Sequence, residues 1–357
     1  MKEKNYGVEF GRILSMLMIM GLHVLGQGGV LGELGYNSLK GQAVVYLEYL
    51  CVVSVNIFAL ISGFVAINSQ FKLRRLIGLW LQMMFFSVGM MLIIGPLYQI
   101  SFDQVIESFF PTIHHGYWYF NAYLILYVFT PILNKGMKAL RKKELFQLLV
   151  IAFFVLSIVS SFAEKDAMYV EGGYSPIWLI YMYVVGAYIK IHGIPNLVRK
   201  RKWLLSIYFL FGMLTVVAHD LRNLYLVYFD GFEGQDWWVR RYSFPTIFIM
   251  SVALFLYLIS MKFPKRMHKI IGFFSTSALA AYLFQTHPLF YNLVLPGMFT
   301  KIADWTSLLL LGSVLLLSVF FFVAGVLLDK LRLWFVQRLK LDRMMDSVYA
   351  YIERKFI

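Results

Sequence analysis

Apolar runs of about 20 residues, divided by short polar and basic stretches, recur along the whole chain. An α-helix rises about 1.5 Å per residue, so a run of that length crosses the hydrocarbon core of a bilayer. On that measure the pattern predicts ten spans, at 10–29, 43–68, 76–98, 117–136, 145–163, 174–191, 203–219, 242–261, 272–296 and 305–329. Only helices or closed barrels satisfy their backbone in lipid, and runs this long are helical. The expected fold class is therefore an all-α integral membrane protein, a single bundle of about ten transmembrane helices. Residues 1–335 make the membrane domain and 336–357 a cytoplasmic C-terminal tail. The first run carries Arg12 and His23 with no small-residue cleavage site behind it, so it reads as a retained span rather than a signal peptide. No internal repeat is visible.

Charge orients the bundle. When the ten spans are threaded, the basic clusters at 72–75, 135–143, 199–202 and 262–269 and the tail after Lys330 all fall on the side of the N-terminus. Of the 33 Lys and Arg, only Lys40, Lys165, Arg222, Arg240, Arg241 and Lys301 fall opposite. Basic loops mark the cytoplasmic side, so both termini are expected there. The opposite loops lean acidic. A net charge of +14 then reflects topology and contact with membrane lipids, not nucleic acid, which needs a basic patch on a soluble module. A chain that is 60% hydrophobic and 15% charged has more apolar surface than a soluble domain of 357 residues can hide. Its single cysteine, Cys51, excludes a disulfide framework and a cysteine-based metal site, and no metal is expected.

Chemistry is sought where polar residues interrupt apolar runs. In GRILSMLMIMGLHVLGQGG (11–29), Arg12 and His23 are eleven residues apart. That spacing leaves them about 20° apart around a helix and roughly 16 Å apart along it. They share one face, Arg12 at the cytoplasmic rim and His23 in the outer half of the membrane. An ionisable group at that depth costs a few kcal/mol and faces protein or a wet cavity. Arg12 can bind phosphate bidentately, or simply pair with Glu9. His23 can act as a general base, or donate a hydrogen bond between helices. The second span holds Asn56 near mid-membrane and Ser62-Gly63 near its cytoplasmic end, followed by Lys72, Arg74 and Arg75. Small residues there serve either helix packing or close approach of a ligand, and the cluster either topology or a phosphorylated donor. The fourth span opens with Trp118, Tyr119 and Asn121, where the aromatics serve either an interfacial belt or sugar stacking. Trp237 and Trp238 in the outer loop face the same choice. His287 in SALAAYLFQTHPLFY (277–291) lies at a depth close to that of His23, beside the helix-breaking Pro288. A multi-span transporter or flippase, moving a glycan or small solute without covalent chemistry, is the alternative these polar groups allow.

These residues, in this order, resemble the acyltransferase-3 family of bacterial membrane proteins. The family carries an Arg, ten residues and a His in its first span, matched by Arg12 and His23. Glu9 stands where an Asp is usual. Ser62-Gly63-Phe64 matches its SGF-like motif, and Lys72-x-x-Arg75 occupies the place of an RxxR-like motif with Lys for the first Arg. Lys cannot make the bidentate fork, so the phosphate geometry at that position differs. The short ten-span form looks like the capsule and exopolysaccharide O-acetyltransferases of the bacterial plasma membrane. The resemblance implies a cytosolic acyl-CoA donor, usually acetyl-CoA, and a polysaccharide or lipid-linked glycan acceptor. It implies that Arg12, Lys72, Arg74 and Arg75 hold the CoA phosphates while the pantetheine arm passes Ser62 and Gly63. His23 would then act as base or transient acyl carrier; beside it the residues themselves offer Asn56, Asn121 or His287 for the oxyanion and Trp118 and Tyr119 for the sugar.

Overall fold

The computed structural model describes residues 4–34, 38–114, 116–163, 166–193, 201–231 and 238–340. The described residues are mostly helical and contain no strand, as expected for an all-α membrane protein. Among the described residues, seven helical stretches are long and apolar enough to cross a membrane: Tyr6–Leu25, Leu39–Ala66, Leu73–Leu97, Lys142–Phe162, Arg201–Phe229, Trp238–Ile259 and Ser307–Arg338. Three expected spans fall outside that set for separate reasons. Helix α6 (Trp118–Ala139) dilutes its hydropathy with Trp118, Tyr119, Tyr123, Tyr127, Asn121 and Asn134. Helix α9 (Pro176–His192) has 17 residues. The expected single helix at 272–296 is instead broken into α12 (Lys265–Ser275), α13 (Ala278–Gln285) and a wide π-helical turn at Phe290–Val294. The second break is dictated locally. Pro288 lacks an N–H and disfavours the α conformation at the residue before it. Thr286 closes α13, and His287 Nδ1 accepts from the Leu289 N–H at 3.2 Å, replacing a lost backbone partner.

Helix α1 (Tyr6–Leu25) is the axis of the bundle. Asn5 starts it by accepting from the Gly7 and Val8 N–H groups, and Gly26 ends it. It packs against α2 (Leu39–Val52), α3 (Ser54–Ala66), α11 (Pro245–Ile259), α12, α13 and α14 (Ser307–Arg338). Around it lie α4 (Leu73–Ile94), with the short capped α5 (Phe102–Phe109) docked on it through a Ser87 Oγ donation to Ser108 O. Helix α7 (Lys142–Phe153) continues through a π-helical turn into α8 (Ser160–Phe162), and α10 (Arg201–Tyr225) packs on α11. Helix α14 runs through the expected boundary at 335 as far as Arg338. Most of the tail, 341–357, lies outside the described residues, as do Trp237 and Lys165.

The closest helix pair is α3 with α9. A Cβ placed on Gly63 would meet Tyr183 O at 1.8 Å, and one on Gly186 would meet Leu60 O at 2.1 Å. Two glycines facing each other's backbone let the helices touch, the usual device where lipid provides no hydrophobic drive between helices. Gly63 thus has a packing role and lines neither of the cavities described below.

Candidate functional site

Helix α1 carries a cavity at each end. Near its C-terminal end His23 lines a cavity of about 530 Å³ together with Glu48, Trp118, Arg240 and Tyr242. Near its N-terminal end Arg12 lines a smaller one, about 230 Å³, with Ser62, Arg75 and Tyr119. Both residues of the eleven-residue spacing thus line a cavity, but the two cavities are distinct. No described residue lines both. Between them stand Tyr119, which faces the Arg12 chamber, and Tyr282, which faces the His23 chamber. The Tyr119 N–H donates to Tyr282 Oη at 3.3 Å and the two rings meet edge to face.

In the larger chamber His23 Nδ1 is 2.9 Å from Gln285 Oε1, and the Tyr291 ring stands edge-on to the imidazole. In the amide orientation that places Oε1 here and leaves Gln285 Nε2 buried without a partner, Nδ1 carries the proton and donates. In the neutral ring that leaves Nε2 with the lone pair. This is the tautomer a base needs. Replacing Gln285 by Leu removes the selection of tautomer. The expected result is a fall in kcat of about tenfold or more with KM for the acyl donor preserved, measured by steady-state transfer kinetics.

In the smaller chamber Arg12 is oriented rather than spent. Its Nη1 donates to both oxygens of Glu9, at 3.0 and 3.1 Å, and Ser275 Oγ donates to Glu9 Oε2 at 2.6 Å. A guanidinium has five N–H donors, so most remain for a ligand. Arg75 sits over the Tyr127 ring, and the Tyr127 hydroxyl bridges the Lys72 backbone N–H and carbonyl. Ser62 Oγ donates to Phe58 O. The wall is steadied by Gln82, whose amide donates to the buried Asp329, which also accepts from Arg332. Lys72 and Arg74 line neither chamber.

The remaining expected positions divide. Trp118 lines the His23 chamber and Tyr119 the Arg12 chamber. Asn56 is fully buried, donating to Tyr242 O and Ser251 Oγ while accepting from Trp178 Nε1, a three-helix junction outside both chambers. His287 spends both ring nitrogens, Nε2 donating to Ser87 O and Nδ1 accepting from Leu289, and it also lies outside them. Asn121 donates to Thr112 O. Trp238 packs on Phe162 and Phe244.

Three residues that the sequence reading did not single out stand in the His23 chamber or support it: Gln285, Glu48 and Arg240. Glu48 is 2% exposed and accepts from Arg240 Nη1 at 3.2 Å. An acid six residues into an apolar run is itself a signal of a buried polar site. The acyltransferase-3 family, described as an acyltransferase domain, matches residues 5–327. The chain belongs to the acyltransferase-3 family. It is thus a membrane acyltransferase, and the reading of a transporter without covalent chemistry gives way. No curated relative and no solved structure matches this acyltransferase.

Proposed function

We propose that this acyltransferase moves an acyl group, in the first instance acetyl, from acyl-CoA bound at the Arg12 chamber to a glycan hydroxyl held in the His23 chamber. The observation that carries the reading is the pair of chambers on one helix, one offering guanidinium groups and the other an imidazole in the tautomer of a base. Arg12 and Arg75 take the CoA phosphates, and the apolar side chains Phe58, Ile61 and Leu79 of the same chamber take the pantetheine arm. Nε2 of His23 removes the proton from the acceptor hydroxyl as its oxygen attacks the thioester carbonyl. The tetrahedral intermediate collapses to the ester, and the CoA thiolate leaves. The basic loops orient the Arg12 chamber and both termini toward the cytoplasm and the His23 chamber outward, in the plasma membrane of a bacterium. Capsule or exopolysaccharide is the acceptor class this orientation favours.

The test uses protein in liposomes, with acetyl-labelled acetyl-CoA supplied on the Arg12 side and polysaccharide on the other. Label on the far-side glycan is the expected result. Label only on a same-side glycan would move the acceptor, and no consumption of any acyl-CoA by folded protein would end the reading. Arg75→Ala is expected to raise KM for acetyl-CoA about tenfold or more. The same variant should match wild type with S-acetylpantetheine, which lacks the nucleotide phosphates, and equal losses with both donors would remove Arg75 from phosphate binding.

A further inference from the structure

The buried carboxylate in the His23 chamber is only half used. Glu48 Oε1 accepts from Arg240 Nη1 at 3.2 Å, while Glu48 Oε2 is buried with no hydrogen-bond partner. A buried carboxyl oxygen left without a hydrogen-bond partner is costly, and native structures leave such atoms only where something else completes them. Glu48 sits on α2, Arg240 on the 3₁₀ turn Trp238–Arg240, and both face the chamber that His23 enters from α1. An aromatic cluster shares the chamber. Trp118 stacks on Tyr242, with ring centroids 5.9 Å apart and planes 20° apart, and Tyr174 leans on both at 4.5 and 4.8 Å. All three line the same chamber.

Aromatic rings beside a carboxyl oxygen that lacks a partner are the chemistry that holds a sugar ring. The aromatic rings take the C–H side of the pyranose, and the oxygen accepts from a ring hydroxyl. The charged groups of the wall, Glu48 and Arg240, cancel, so the chamber offers no net charge for an acidic sugar. We propose that Glu48 Oε2 and the Trp118–Tyr174–Tyr242 wall form the acceptor subsite for a neutral, hydroxyl-rich pyranose, with Glu48 fixing the ring through a hydroxyl other than the one that is acylated. This rests on the reading of the His23 chamber as the acceptor side. Glu48 binds the acceptor, and His23 remains the base.

The decisive variant is Glu48→Gln. Arg240 retains the amide oxygen, and an NH2 donor then replaces the free carboxylate oxygen, so a hydroxyl donor loses its acceptor with little change in volume. The probes are methyl β-glucopyranoside, methyl α-rhamnopyranoside and, as the acidic comparison, methyl β-glucuronoside. Saturation-transfer NMR on nanodisc-embedded protein without acetyl-CoA reads binding apart from chemistry. Wild type is expected to saturate one or both neutral glycosides and not the glucuronide. Glu48→Gln should weaken that binding about tenfold or more, and in the transfer assay raise acceptor KM more than it lowers kcat. Trp118→Leu, at a half-buried position, gives the second arm should Glu48→Gln fail to fold, with selective loss of saturation on the ring C–H protons. Binding equal in wild type and in a folded Glu48→Gln would overturn the subsite, as would a preference for the glucuronide. Wild-type binding of neutral glycosides with no acetyl transfer upholds the subsite and counts against the proposed transfer reaction instead.

Discussion

Substituting His23 by Ala is expected to reduce acyl transfer by about 10²–10⁴-fold while leaving insertion and acyl-CoA binding intact. The magnitude is that of a positioned general base. The imidazole is placed by the rigid axis of the bundle, its tautomer is set by Gln285, and the Tyr291 edge fixes its ring plane. The other histidine at similar depth, His287, has both nitrogens committed to backbone groups and is outside the chamber, so it does not substitute. Label transfer from acetyl-CoA to polysaccharide, wild type beside His23→Ala, checks this. Near-normal product from the variant would remove His23 from the chemistry. Single-turnover quenching adds a second reading: label on wild-type protein before it reaches glycan would show an acyl-enzyme in place of direct attack.

The second large effect is structural. Gly63→Ala is expected to abolish a stable, monodisperse protein. The added methyl would lie 1.8 Å from Tyr183 O, within the α9 backbone, and no side-chain rotation relieves that clash. Ordinary overpacking costs about 1–3 kcal/mol, and a collision with backbone at a helix crossing exceeds it because two whole helices must part. Gly312→Ala is the control, since nothing lies within 4 Å of its added Cβ. Size-exclusion profiles and thermal unfolding in detergent separate the two variants. Equal behaviour would mean that α3 and α9 do not meet as closely as they do here. A Gly63→Ala protein that is folded but deficient only in acyl-CoA binding would return Gly63 to the donor path.

The sequence made the helices legible because lipid imposes one length and one hydrogen-bonding solution on every span. Arg12 and His23 were legible for a related reason, since eleven residues is close to a whole number of helical turns. The break near Pro288 was flagged by its proline, but the extra break at Thr276–Ser277 carries no such marker. What stayed hidden was which helices are neighbours. Nothing local ties Gln285 to His23, 262 positions away, or Arg240 to Glu48, 192 positions away. The same blindness works in reverse for Asn56 and His287. Each is a polar residue at membrane depth, as a ligand site would have, and each turns out to be consumed by backbone or side-chain partners of adjacent helices. Glu48, a charge inside an apolar run, is a signal that the sequence alone contains.

The Tyr119–Tyr282 contact has a consequence for the cell that holds this protein. A catalyst reached from both faces of a membrane is in danger of being a hole, and a continuous wet path would drain the proton gradient that powers the same envelope. On the proposed reading, the Tyr282 hydroxyl, held by the Tyr119 backbone N–H, stands between the two chambers and keeps such a path closed.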